Sequence, residues 1–188
     1  MDGPKTDTRP EDIQDVHGFS RFAEAVVPRA LRLAARWTGD VQLAEDLVQE
    51  ALTRTWQTRH RIRTSPEAWM LRILWRLFLN ERRRSRPEDL PWDVHGGAAA
   101  QGIPQERALD RMWIGELLAL LPERDRQLLA MRYGEDLTVQ QIAAITGMRE
   151  GTVKARLSRA LRRLREMGEG AGGPSAAGRW GCGETDGG

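Results

Sequence analysis

Between Phe19 and Met167 apolar residues return at every third or fourth position, and no stretch alternates between apolar and polar residues. A period near 3.6 marks helices with one buried face, whereas a half-buried strand needs a period of two. The chain is therefore predicted to be all-α. The pattern breaks at 87–104 (PEDLPWDVHGGAAAQGIP), where three prolines, a Gly-Gly pair and no periodicity predict a flexible linker. Two small helical domains are expected, over 17–86 and 105–167.

In the first domain Phe19, Phe22, Val26, Ala30, Leu33, Ala34 and Trp37 make one stripe, interrupted only by Pro28. Gly39-Asp40 ends that helix and opens a second over 41–58, with Leu43, Leu47, Ala51, Leu52 and Trp56 inward. Thr64-Ser65-Pro66-Glu67 starts a third, with proline in the first turn. Trp69, Ile73 and Leu77 are expected to fill its inward face, and it ends in a basic run from Arg82 to Arg86. The second domain reads as helices over 108–121, 122–133, 138–146 and 149–167. Residues 1–16, polar with two prolines, and 168–188, with nine glycines, are expected to be disordered.

A chain of 188 residues suffices for one ordinary domain or two small ones. Its formal net charge of +2 says little about partners. Lysine occurs only at Lys5 and Lys154, so nearly every basic residue is an arginine, which contacts phosphates and guanines in a planar, bidentate way. The Ala-, Gly- and Arg-rich composition accounts for that excess, so position rather than number carries the argument. Cys182 is the only cysteine, a stray thiol in the glycine-rich tail. It allows no intrachain disulfide, and no Cys/His spacing suits zinc. The polar N-terminus is not a signal peptide and no apolar run spans a membrane, so a cytoplasmic protein without metal or cofactor is expected.

One segment points to chemistry. Thr138-Val-Gln-Gln141 has the form of a capping box, opening a short helix with Ile142, Ala143 and Ile145 inward. Gly147 follows where a tight turn needs positive φ, and a longer helix begins near Arg149. This is the order of a helix-turn-helix. In the longer helix Val153, Leu157, Ala160, Leu161 and Leu164 fall on one side. Gly151, Lys154, Ala155, Ser158, Arg159 and Arg162 fall on the other. Residues 149–166 carry seven basic against two acidic side chains, a local charge of +5. Small near its start and basic along its length, this face suits a major groove with arginines on the flanking phosphates. No Ser or Asp caps the helix at Arg149, and Glu150 compensates in part at the positive helix end.

These residues are similar to a known family. Residues 151–165 (GTVKARLSRALRRLR) resemble the region-four recognition helix of alternative sigma factors of the extracytoplasmic-function group, and 120–129 (LLPERDRQLL) the helix that opens that region. Upstream, 44–52 (AEDLVQEAL) is similar to the region-two signature, and 68–73 (AWMLRI) with its basic end resembles the promoter-melting helix. The resemblance covers about 19–167.

It implies partners and roles. Core RNA polymerase (its clamp helices and flap) and promoter DNA would be bound, with an anti-sigma factor as a further partner. The polar face Asp46, Gln49, Glu50 and Thr53 would dock on polymerase. Arg149, Glu150, Thr152, Lys154, Ala155, Arg156, Ser158, Arg159, Arg162 and Arg163 would meet the −35 element. His60, Arg61, Arg63, Thr64 and Ser65 would help form a pocket for a base flipped from the −10 element. Arg72, Trp75, Arg76 and Asn80 would contact the unpaired strand, with Trp75 a stacking platform and Trp69 core. Arg82, Arg83 and Arg84 would hold the backbone. The chain departs from the family at Arg76, commonly Asn, and at Asn80, often Asp. The linker, acidic at Glu88, Asp89 and Asp93, would thread through the polymerase.

Two other readings compete. A stand-alone helix-turn-helix regulator leaves the Asp46–Thr53 face unexplained. A nuclease using Glu45, Asp46 and Glu50 on magnesium has adjacent carboxylates on different faces and no histidine or nucleophile beside them.

Overall fold

The computed structural model describes residues 8–84 and 115–170, and among them no strand is present. Helix α1 spans Val16–Thr38, α2 Val41–Thr58 and α3 Pro66–Arg84; after the undescribed stretch come α4 Glu123–Leu129, α5 Val139–Thr146 and α6 Glu150–Gly170.

Local chemistry sets the boundaries. Asp15 caps α1 by accepting a 2.7 Å hydrogen bond from the Gly18 N–H. Gly39, left-handed at φ 72°, ends the helix, and its N–H returns to the Ala35 carbonyl. Asp40 at once caps α2 through the N–H groups of Gln42 and Leu43. One turn thus folds α2 against α1. Pro28 is accommodated because it is exposed, where a lost backbone bond can be replaced by water. Ser65 Oγ accepts from the Ala68 N–H at 3.2 Å and starts α3.

The first core joins Phe22, Val26, Ala30, Leu33, Ala34 and Trp37 of α1 to Ala44, Leu47, Val48 and Ala51 of α2 and to Met70, Leu71, Leu74, Trp75 and Phe78 of α3. Trp37, Trp75 and Phe78 form an aromatic cluster with centroids 5.2–5.8 Å apart. The inward face of α3 is therefore rotated from the expected one: Trp69, Ile73 and Leu77 are only half-buried. The segment is apolar nearly all round, so periodicity alone could not choose the face.

The second block packs Leu121, Leu128, Leu129, Met131, Leu137, Ile142 and Ile145 against Val153, Leu157 and Ala160 of α6. A wide π-type turn, Ala130–Gly134, continues α4. Residues 115–119 are helical, and Arg126 Nη1 donates to the Ala119 and Leu121 carbonyls at that helix end. Burial lowers the Arg126 pKa, Glu123 opposes that and Arg82 adds to it.

The two blocks are not independent bodies: α3 packs against α5, and α1 against the π-type turn. Order also begins earlier than expected. Pro10–Ile13 forms a short 3-10 helix whose Ile13 is fully buried, so disorder up to residue 16 is not what the structure has. One apolar residue among charges carried too little periodicity to reveal this. At the other end α6 runs past the expected boundary at Met167. The linker over 87–104, with Glu88, Asp89 and Asp93, and the rest of the tail, with Cys182, lie outside the described residues, as does the start of the helix expected over 108–121.

Candidate nucleic-acid interface

The helix-turn-helix is built by its own sequence. Thr138 Oγ1 accepts from the Gln141 N–H at 3.2 Å, and the Gln141 side chain accepts from the Thr138 N–H at 2.8 Å, so the capping box closes. Gly147, at φ 75°, ends α5 with its N–H on the Ala143 carbonyl. A side chain at that φ is strained, which is why glycine stands there. The Arg149 carbonyl accepts from Thr152 and Val153 and opens α6.

On α6, Val153, Leu157 and Ala160 are buried, with Leu161 and Leu164 packed against the core. Arg149, Glu150, Gly151, Thr152, Lys154, Ala155, Ser158, Arg159, Arg162 and Arg163 are all exposed. The expected faces are therefore the observed ones. Arg156 is the exception. It turns toward α4, where Nη1 donates to Asp125 Oδ1 at 2.9 Å, and Asp125 is itself buried. Pro122, Asp125, Arg156, Arg159 and Arg163 line a cleft of about 200 Å³. Beyond it, Arg162 only grazes Glu166 at 3.9 Å.

The −10 set is divided by the fold. His60, Arg61, Arg63, Thr64 and Ser65 are exposed around Ile62, which is buried and pins the loop. Ser65 doubles as the cap of α3. Arg76, Asn80, Arg83 and Arg84 are exposed. Arg72 is not free: its Nε donates to the Ala144 carbonyl of α5 at 2.7 Å. Arg82 pairs with Glu123 of α4 at 2.6 Å. Trp75 is no stacking platform, since it is 2% exposed and held edge-on to Trp37. Trp69, half-buried, donates from Nε1 to Thr58 Oγ1 at 3.2 Å.

Asp46, Gln49, Glu50 and Thr53 form one exposed face of α2, where Glu50 pairs with Arg54 at 2.6 Å. Glu45 is exposed as well, and no group of three or more His, Cys, Asp or Glu side chains among the described residues could hold a metal.

A group that sequence reading missed joins the blocks. Arg29, Arg32 and Arg36 of α1 converge on Glu135, which lies in the turn before α5. Their spacing put them on one helix face, but nothing local named the partner. The Glu135 hydrogen bonds raise the Arg32 pKa against the opposing effect of burial.

Comparison with known proteins fits this division into blocks. Residues 22–88 match the family model for Sigma-70 region 2, and residues 111–164 that for Sigma-70, region 4. The ECF RNA polymerase sigma factor SigL of Mycobacterium tuberculosis is 37% identical over 158 residues, covering 76% of this chain and 89% of that protein. The RNA polymerase sigma-E factor of Streptomyces coelicolor is 30% identical over 155 residues, covering 81% and 86%. In fold, the chain is similar to the sigma factor RpoE of Bartonella quintana, solved with the anti-sigma factor NepR: TM-score 0.66, 24% identity, 82% of this chain and 98% of that one. It is also similar to CnrH, solved with the cytosolic domain of CnrY: TM-score 0.58, 19% identity, 83% and 90%. With both regions matched in order and relatives covered over most of their length, the chain belongs to the RNA polymerase sigma factors of the extracytoplasmic-function group, which act in transcription initiation.

Proposed function

We propose that this sigma factor reads the −35 element with the exposed face of α6 and engages the melted −10 element with α3 and the loop before it, while α2 docks on polymerase. The observation that carries the reading is the segregation of α6. Small residues (Gly151, Ala155, Ser158) face outward near its start, where backbone must approach base edges, and Lys154, Arg159, Arg162 and Arg163 flank them. Arg159 lies beside the small stretch and is the residue assigned to a base edge; Arg162 and Arg163, further along, are assigned to phosphates.

Arg156 has a different part. Held by buried Asp125, it fixes the roll of α6 on α4 and sets which side chains reach the groove. Arg76 and Asn80 are assigned to the unpaired strand. Arg83 and Arg84 are assigned to its backbone. On α2, Asp46, Gln49, Glu50 and Thr53 form the polymerase-docking face, on the clamp helices, with region four on the flap. The chain has no catalytic activity of its own, uses no cofactor and acts in the cytoplasm. An anti-sigma partner is supported by the complex with NepR in which its structural neighbour RpoE was solved.

Run-off transcription with core polymerase on a promoter library tests the whole reading: transcripts are expected from a restricted set of promoters only when both proteins are present. Strong sequence-specific binding by the isolated chain in a gel shift, with no change on adding core, would instead support a free-standing regulator. Asp46→Ala is expected to weaken core binding and leave fold and DNA contacts intact. Unchanged core affinity removes the α2 assignment.

A further inference from the structure

The loop that joins α2 to α3 opens with one 3-10 turn, Arg59–Arg61, and has no regular structure from there to Ser65. His60, Arg61, Arg63 and Thr64 are exposed along it, and such a segment moves unless something behind it holds it. Buried Ile62 and the Ser65 cap hold its later part. Its start is held by Arg59, whose side chain is engaged with the protein itself. Arg59 Nε donates to the Gln14 carbonyl at 2.9 Å and Nη1 to the Trp56 carbonyl at 2.8 Å. The guanidinium lies over the Trp56 ring, 3.6 Å from its centroid, and Trp56 in turn meets Phe19 of α1 edge-on at 5.0 Å. The Arg59 carbonyl accepts from the Ile62 N–H at 3.1 Å and from the Gln14 side chain at 3.5 Å. Gln14 therefore meets Arg59 through both its backbone and its side chain.

Gln14 ends a strap, Pro10–Gln14, that has fastenings of its own. Asp12 accepts from the Arg9 N–H at 2.9 Å, and the Gln14 side chain also donates to the Pro10 carbonyl. Ile13, fully buried, plugs the strap into the first core. Gly18, in the first turn of α1, lies so close to the Asp12 carbonyl that a Cβ there would run into it. Glycine is a poor helix former, so this approach is the physical reason for its place inside α1.

We propose that the strap Pro10–Gln14 is a positioning element for promoter melting: acting through Arg59, it sets where the loop presents its exposed side chains, and so which base of the −10 element is accepted. The proposal rests on the reading of that loop as a −10 contact. A pocket selects among bases only if its side chains are held to within about half an ångström, and this loop has no helix or strand of its own to hold them. Arg59 is thus a positioning residue. Its Nε and Nη1 donors are used on carbonyls of the chain, which leaves base selection to the residues that follow it.

The test uses the full chain. Gly18→Ala drives the strap off α1 while giving the helix a better former, and Arg59→Ala cuts the strap from the loop. Circular dichroism checks that the helices persist, and Arg59→Ala serves if Gly18→Ala does not fold. Hydrogen exchange at the Ile62 amide, whose bond to the Arg59 carbonyl closes the turn, should be faster in both variants than in the parent. With core polymerase, transcription is measured on promoters that carry each of the four bases at each −10 position in turn. At the position where the parent discriminates most, the ratio of best to worst base should fall by about fivefold or more in both variants, the lower end of what one good base contact supplies. Preference at the −35 element should not change.

Equal loss on all four bases, or a matching loss of preference at −35, means a general structural role and overturns the proposal. So does an unchanged ratio in the folded variants. A ratio lowered by Arg59→Ala and not by a folded Gly18→Ala makes Arg59 a direct DNA contact and overturns the strap's part. A parent that shows no base preference at −10 removes the reading of the loop instead, and the exchange at Ile62 still decides whether the strap braces it.

Discussion

The arginines of α6 and those of α1 and α3 stand at similar helical spacings and in opposite surroundings. On α6, Arg159, Arg162 and Arg163 face solvent, with no strong acidic partner among the described residues. On α1 and α3, Arg29, Arg32, Arg36, Arg72 and Arg82 reach carboxylates or carbonyls, and all but the Arg29–Glu67 bond cross to the other block. A basic helix face is thus not one thing. The surface assigned to duplex DNA is open as it stands, and part of the surface assigned to melted DNA is covered. That order suits a factor whose melting contacts are wanted only after assembly with polymerase.

The comparison is broken most sharply at Trp75. If α3 offers it to a base, Trp75→Ala should spare stability and abolish promoter opening. The structure has it in the aromatic cluster with Trp37 and Phe78, so the expected result is a loss of about 3–5 kcal/mol in denaturant unfolding, from lost burial and a cavity. A smaller effect is expected at the α4–α6 contact. Asp125→Ala leaves Arg156 without its acceptor and should cost about 1–3 kcal/mol of stability, tempered because water reaches part of that guanidinium.

Arg159→Ala sharpens the contrast from the other side. Its stability change should stay within about 0.5 kcal/mol, while binding by the holoenzyme to the −35 element should weaken by about 1–3 kcal/mol at one base position. Equal loss on every sequence would make Arg159 a phosphate contact. Smallest is Thr138→Ala, which opens the capping box and should lower stability by about 1 kcal/mol. If it changes promoter choice without changing stability, α5 takes a direct part in recognition.

Much of this was legible because it is local. The cap at Asp40, the box at Thr138 and Gln141, the left-handed glycines at 39 and 147 and the split faces of α6 each depend on residues within a few positions of one another. The readings that failed needed information from elsewhere. Trp75 and Trp69 lie on a helix apolar nearly all round, and only the positions of Trp37 and Phe78 decide which indole goes inside. Arg156 lies at the edge of the apolar stripe, and it turned inward because Asp125 waits on α4.

By itself, then, the sequence determined most of the described helices, their caps and the outward face of α6, because backbone hydrogen bonding and amphipathic period are short-range. Only the tertiary structure decided that the two blocks meet and which arginines remain available to DNA. Arg29, Arg32 and Arg36 acquire their meaning from Glu135, about a hundred residues away along the chain. A charge pair across that separation leaves no local pattern: each partner read alone is an ordinary solvated side chain, and only packing takes the carboxylate out of water.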